Sequence, residues 1–342
     1  MSNASKLGWA NNLRAAATFG VIVIHCSSYV ILNFGHIDKL HWLIAVIFNT
    51  AVRWSVPIFI MLTGSFVLSN YNDKLGRFFK NAFNKIIVPF LIWSIVYLLY
   101  NNGDDLFGNT LTNIQKSDLL IEKALSGTEV HLWYVYMIIG IYLIIPIFSK
   151  WTKYASPKEL YLFLGFWFFL LFANPFLNNY TTDFQFNYFT GYIGYLIAGY
   201  YLFNNLKLNK VIPWLLLIIS IASIAAVTYT TSFAKNEFND TYLAPLTPGI
   251  SMMSASVYLI GKQSTLNLSK WVTHMVDQIC KYSYGIYLVH YLILALIDEY
   301  LIGINSFHPL LSIPTISLLC FACSYGIIYL LRKIPYLGKS IG

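Results

Sequence analysis

The sequence predicts an all-α membrane protein with ten transmembrane helices and both termini in the cytoplasm. Of its 342 residues, 57% are hydrophobic, 18% are aromatic and only 11% are charged, whereas a soluble domain carries about 25% charged residues. Aromatic side chains concentrate at both interfaces of a bilayer, so this composition indicates a chain that crosses the membrane many times. We expect a single domain over residues 1–342, with an outer-face loop at 101–130.

Ten apolar stretches are long enough to cross the hydrocarbon core, which requires about 20 residues of helix. The second stretch is the longest and contains Pro57 and Gly64, so we expect it to tilt, kink or break. The predicted spans lie near 13–34, 42–70, 83–100, 131–149, 159–178, 185–203, 211–231, 242–261, 281–300 and 308–331.

The charges in the loops set the orientation, because basic residues remain on the cytoplasmic side of a membrane. Most of the 22 Lys and Arg residues fall in one alternate set of segments, whereas the opposite set holds only Lys39, Lys116, Lys123 and Lys235. Both termini are therefore predicted to be cytoplasmic, with an even number of spans. The net charge of +8 follows from this distribution and requires no nucleic-acid partner.

The outer loop 101–130 is acidic and contains the amphipathic stretch LLIEKAL. A loop of this length in a compact domain usually contains some structure, so we expect a short helix that lies over the outer mouth of the bundle.

Three ionisable residues lie inside the first two spans. Arg14 and His25 are three helical turns apart, which puts them on nearly one face and about 16 Å apart along the axis. Counted from opposite faces of the membrane, His25 is twelve residues into its span and Arg53 is eleven into the next, so both reach a similar depth. Such residues cost several kcal/mol in a membrane unless they have a partner or a function.

Each of these residues also has a structural explanation when taken alone. His25 is equally compatible with a core histidine bonded to a neighbouring helix, and Arg14 with a cytoplasmic anchor. Arg53 is harder to explain in this way, because a buried guanidinium keeps its proton and must contact an anion, carbonyl groups or water. Together they predict a polar cavity, where a neutral imidazole suits a general base and the arginines suit phosphates or a developing oxyanion.

Other polar or aromatic residues are weaker candidates. His131, Trp133 and Tyr134 open the fourth span (HLWYVY), where they could hold a sugar by stacking, although an aromatic belt is the default interpretation. His290 lies near the midplane and suits either packing or a second polar contact. The four cysteines lie in or beside apolar spans without companion ligands, so we expect neither disulfides nor a metal site.

Four stretches resemble, in order and spacing, the motifs of the acyltransferase 3 family: NNLRAAATFGVIVIH, RWSVPIFIMLTGSFVL, HLWYVYMIIGIYLIIPI and YSYGIYLVH. This likeness runs from Asn11 to the C-terminal tail and is greatest to the enterobacterial-common-antigen O-acetyltransferase subgroup. Arg14 and His25 fit the family's Arg-x10-His pair, and Arg53 fits the arginine before its VPxFFxxSG stretch. The chain departs from the pattern at Asn11, where many members have Asp.

The resemblance implies a ten-helix enzyme of the bacterial cytoplasmic membrane that O-acylates a surface polysaccharide or its lipid-linked precursor. It implies acetyl-CoA as the cytoplasmic donor. The basic residues at the inner rim suit this donor, because its phosphates could contact Arg14 together with Arg77, Lys80 or Lys85. His25 would receive either the acetyl group or the proton of the acceptor.

Three alternatives remain open on the sequence. A secondary transporter would also bury His and Arg in a substrate cavity, although transporters usually show inverted repeats. A non-catalytic scaffold would require Arg14, His25 and Arg53 all to be incidental. A related enzyme that transfers another acyl group, such as succinyl, would carry the same motifs.

Overall fold

The computed structural model describes residues 3–72, 74–177, 191–205, 208–266, 268–335, 338 and 340–342. Within these residues the chain forms helices joined by loops and turns, without a strand, which confirms the predicted all-α class. The long helices are α1 (Asn3–Ile31), α2 (Lys39–Val52), α3 (Ser55–Thr63), α4 (Leu75–Ala82), α5 (Val88–Phe107), α6 (Asn113–Ser126), α7 (Trp133–Tyr154), α8 (Pro157–Leu177), α9 (Ile193–Asn204), α10 (Val211–Lys235), α11 (Pro248–Gln263), α12 (Lys270–Tyr300) and α13 (Pro309–Leu331). Short turns of π-helix (Gly64–Leu68, Phe83–Ile87) and 3₁₀-helix (Val130–Leu132, Thr241–Leu243) adjoin them.

The described residues contain eight helical segments that are long and apolar enough to cross a membrane, so the chain is a multi-pass membrane protein. The segments are Gly8–Ile31, Lys39–Leu68, Leu75–Phe107, Val130–Tyr154, Val211–Lys235, Thr241–Gln263, Lys270–Tyr300 and Pro309–Leu331. The other two predicted spans coincide with α8 and α9. The last residue of the predicted 159–178 span and the first part of the 185–203 span lie outside the described residues, and the count of ten stays a prediction.

The second span is broken at Arg53, which confirms the irregularity expected there. Helix α2 ends at Val52, Arg53 and Trp54 form a turn, and α3 begins at Ser55. Pro57 has no N–H to donate to the carbonyl of Arg53, four residues earlier, so a continuous helix would lack a hydrogen bond at this point. The break leaves Arg53 at the junction of two helices.

The long loop that the sequence assigns to the outer face is partly helical. Helix α5 continues to Phe107, beyond the predicted end of the third span at residue 100, and α6 contains the LLIEKAL stretch. Thr112 and Gln115 form a reciprocal capping box at the start of α6, which satisfies two of the backbone N–H groups that a helix leaves unpaired there. A short helix in this loop is confirmed, and its position over the outer mouth stays a prediction.

Helix α1 lies at the centre of the bundle. It packs against α2, α3, α11, α12 and α13, so most of its surface faces other helices instead of lipid. His25 is positioned by this arrangement inside the protein.

Candidate active site

Two cavities lie next to each other along α1. The Arg14 cavity has a volume of about 170 Å³ and is lined by Arg14, Thr63, Ile86, Tyr134, Tyr142 and Tyr287, among others. The His25 cavity has a volume of about 620 Å³ and is lined by His25, Arg53, Trp133, Tyr192, Asp240 and Tyr291, among others. Val21 and Val56 line both cavities and therefore form the partition between them.

His25 and Arg53 line the same cavity, as their equal depth in consecutive spans predicted. Both side chains are only half-buried, so a ligand in the cavity can reach them. Arg14 does not join them, contrary to the expectation of one cavity for all three residues. Three turns of α1 separate Arg14 from His25 by about 16 Å, and Val21 lies on the helix between the two.

Arg53 is oriented by a buried asparagine. Its Nε donates a hydrogen bond of 2.6 Å to Oδ1 of Asn49, one helical turn earlier. The Asn49 side chain is fully buried, and its Nδ2 donates to the carbonyl of Ile24 at 3.0 Å and to the hydroxyl of Ser27 at 2.9 Å. Asn49 thus ties the arginine to the turn of α1 that carries His25.

Most N–H groups of the Arg53 guanidinium have no hydrogen-bond partner among the described residues. Within the described part of the chain, the bond to Asn49 is its only hydrogen bond, although a guanidinium has five N–H donors. The carboxylate of Asp240 lines the same cavity and acts on the arginine electrostatically. Among the described residues, the cavity therefore offers one cation, one anion and one imidazole.

His25 belongs to a cluster of three imidazoles. Its ring centroid lies 5.2 Å from that of His290 and 6.3 Å from that of His131, and the last two are 5.1 Å apart. His131 is buried beside His25, so its default assignment to an interfacial aromatic belt was wrong. The histidines, cysteines and carboxylates of the described residues form no group of three that could hold a metal ion.

The tautomer of His290 follows from its backbone contact. Its Nδ1 lies 2.5 Å from the carbonyl oxygen of Tyr287, which can only accept, so Nδ1 carries the proton. Nε2 is left as an acceptor, and it has no partner among the described residues although it is buried. An unpaired buried nitrogen costs free energy. Such unpaired buried groups call for an explanation, and a functional role is one.

The HLWY motif is divided between these features. His131 joins the imidazole cluster, exposed Trp133 lines the His25 cavity, and buried Tyr134 lines the Arg14 cavity. The Trp133 ring lies 5.7 Å from that of Tyr192, and the two make an aromatic wall on the His25 cavity. One short segment thus contributes to both sides of the partition.

The basic candidates lie on the segment that leads to the Arg14 cavity. Arg77 and Lys80 are on α4, Lys85 is on the π-helical turn that follows, and all three are exposed. The next residue, Ile86, lines the Arg14 cavity. This segment can supply positive charge to an anion that extends out of the cavity.

Asn11, where the sequence departs from the family pattern, pairs with a carboxylate on another helix. Its Nδ2 donates a hydrogen bond of 2.9 Å to Oδ1 of Asp277 on α12. An Asp at position 11 would oppose the Asp277 carboxylate, so the asparagine suits its local partner.

Comparison with known proteins agrees with the resemblance of the motifs. A model of the acyltransferase domain family matches residues 7–330. The matched range contains every residue that lines the two cavities. No curated protein and no solved structure shows significant similarity to the chain.

Proposed function

The chain belongs to the acyltransferase domain family, and on this premise we propose that it transfers an acetyl group from acetyl-CoA to a sugar hydroxyl. The acceptor would be a cell-surface polysaccharide or its lipid-linked precursor, and the site of action the cytoplasmic membrane of a bacterium. One observation carries this proposal: two cavities share only a thin apolar partition, with Arg14 on one side and the His25–Arg53 pair on the other.

The Arg14 cavity is the donor side of this proposal. The loop charges predict that this end of α1 faces the cytoplasm, where acetyl-CoA is made. The cavity volume of about 170 Å³ suits the narrow thioester arm and not the nucleotide. Arg14 would bind a phosphate at the rim, and exposed Arg77, Lys80 and Lys85 would attract the remaining phosphates.

The His25 cavity is the acceptor side. Its larger volume of about 620 Å³ suits one or two sugar rings, and Trp133 and Tyr192 offer aromatic faces on which a sugar can stack. The carboxylate of Asp240 can accept hydrogen bonds from sugar hydroxyls. The acceptor hydroxyl would then lie near His25, with His131 and His290 behind it.

The chemistry needs a base and a stabilised oxyanion. The His25 imidazole takes the proton of the acceptor hydroxyl, and the oxygen attacks the thioester carbonyl carbon. The guanidinium of Arg53 stabilises the negative oxygen of the tetrahedral intermediate. When the C–S bond breaks, the CoA thiolate leaves and receives the proton, so that the acetyl ester and CoA are the products.

The partition has to open for this step, because the thioester arrives from one cavity and the hydroxyl from the other. Val21 and Val56 are the side chains common to both. Their aliphatic side chains form no hydrogen bonds, so displacing them breaks no polar interaction. The partition would also keep water from the thioester when no acceptor is bound.

Sealed proteoliposomes with acetyl-CoA on one side test the proposal. The protein is oriented by protease access to its termini, and labelled acetyl-CoA is supplied only on the side of the Arg14 cavity, with bacterial envelope polysaccharide on the other. We expect labelled polysaccharide together with free CoA. Transfer that needs acetyl-CoA on the His25 side would contradict the assignment of the cavities. Movement of label without CoA release would indicate a transporter.

A further inference from the structure

Tyr97 on α5 makes an unusual pair of hydrogen bonds with α12. Its hydroxyl donates to the carbonyl of Leu288 at 2.9 Å and accepts from the backbone N–H of Leu292 at 3.1 Å. These two backbone groups are four residues apart and belong to one helical turn. The turn between them carries His290 and Tyr291.

The ring of the same tyrosine contacts the imidazole cluster directly. Its centroid lies 5.1 Å from that of His131, and His131 stacks on Tyr291 at 5.3 Å. Tyr97 is only 1% exposed and lines neither of the two cavities. Tyr97 thus contacts the ring of His131 and the backbone of the turn that carries His290, and it does not reach a ligand itself.

Packing alone does not explain the hydroxyl of Tyr97. A phenylalanine would fill nearly the same volume, and without the hydroxyl the Leu288 carbonyl and the Leu292 N–H could still bond to each other within the helix. The hydroxyl therefore serves to position the turn. One hydrogen bond that it donates and one that it accepts fix the rotation and height of this turn relative to α5. His290, whose ring is 5.2 Å from that of His25, moves with the turn.

We propose that Tyr97 is a positioning residue of the acyl-transfer site, which holds the α12 turn with His290 and Tyr291 against His25. The inference rests on the proposed function of His25 as the base. Displacement of a supporting group by about 1 Å can reduce turnover by roughly 10²-fold. The hydroxyl of Tyr97 prevents such displacement.

Tyr97→Phe tests this role in two independent ways. In oriented proteoliposomes we expect kcat to fall by about 10- to 100-fold, with KM for acetyl-CoA unchanged because Tyr97 does not line the Arg14 cavity. In a second measurement, diethyl pyrocarbonate modification is followed by mass spectrometry. His25 lines a cavity and should react in every variant, whereas buried His290 should become reactive only when Tyr97 is changed.

Tyr258→Phe is the matched control. Tyr258 is fully buried, shares a hydrogen bond of 2.6 Å with the Ser65 hydroxyl, and lines neither of the two cavities. It should leave kcat within about threefold of wild type and His290 unreactive. The role of Tyr97 would be refuted by equal effects of both substitutions, by a raised KM at unchanged kcat, by unaltered His290 reactivity, or by failure of Tyr97→Phe to fold. A wild-type protein without transfer activity would refute the proposed function separately, and the His290 modification would still decide the structural claim.

Discussion

Replacing Arg53 by glutamine should separate catalysis from stability. The substitution removes the guanidinium that lines the larger cavity together with His25, and it keeps a polar, uncharged and shorter side chain. In the proposed reaction the arginine stabilises the oxyanion, and the loss of one such donor lowers kcat by about 10²–10³, or about 2.7–4 kcal/mol of transition-state stabilisation.

The expected effect on folding is small because two contributions oppose each other. Arg53→Gln removes the charged hydrogen bond to Asn49, and such a bond contributes about 1.5–3 kcal/mol. It also removes a charge from within a membrane span, where an arginine costs about 2.5–3.5 kcal/mol. The free energy of unfolding should therefore change by no more than about 2 kcal/mol.

The assay is CoA release in proteoliposomes, with thermal unfolding measured on the same preparations. Arg332→Gln is the control, because Arg332 is a partly buried arginine that lines neither cavity. An Arg53→Gln enzyme with kcat near that of wild type would refute the oxyanion role. A large loss of thermal stability with a proportionate loss of active protein would show instead that Arg53 supports the fold.

Three further substitutions test other parts of the site. Arg14→Lys should raise KM for acetyl-CoA more than it lowers kcat, because a point charge does not replace a bidentate guanidinium. The same KM in the variant and the wild type would contradict donor binding at Arg14. Val21→Phe should thicken the partition and lower kcat, with acetyl-CoA binding by calorimetry retained; faster turnover would contradict a partition that has to open. Asn11→Asp should lower the free energy of unfolding by at most about 1 kcal/mol, because the new carboxylate is repelled by Asp277. This loss should be smaller in high salt, and a salt-independent loss would indicate another cause.

Much of the site could be predicted from the sequence because it depends only on helix geometry. A rise of about 1.5 Å per residue puts His25 and Arg53 at one depth, and Pro57 explains the break that leaves Arg53 at a helix junction. The same rise puts Arg14 three turns away from His25, in a separate cavity. A single cavity was expected because the two residues share one face of the helix, and a shared face does not show their separation along the axis.

The supporting residues could not be predicted in this way. Asn49 and Tyr97 are polar positions in apolar segments, and their roles depend on which helix lies opposite. The belt interpretation of His131 fails because the 3₁₀ turn at Val130–Leu132 and the approach of α12 bury a residue whose position at the start of a span favours an interface. Contact of His131 with a substrate stays a prediction. The only signal for Asn49 was its place one helical turn before Arg53.

The central claim is that His25 is the base for acetyl transfer from acetyl-CoA. It is tested most directly by the rate of CoA release from acetyl-CoA by His25→Ala in oriented proteoliposomes with envelope polysaccharide present. A general base contributes about 10²–10⁴ in rate, so we expect the variant to insert and fold normally and to release CoA at least about 10²-fold more slowly than wild type. Turnover close to that of wild type would contradict the mechanism.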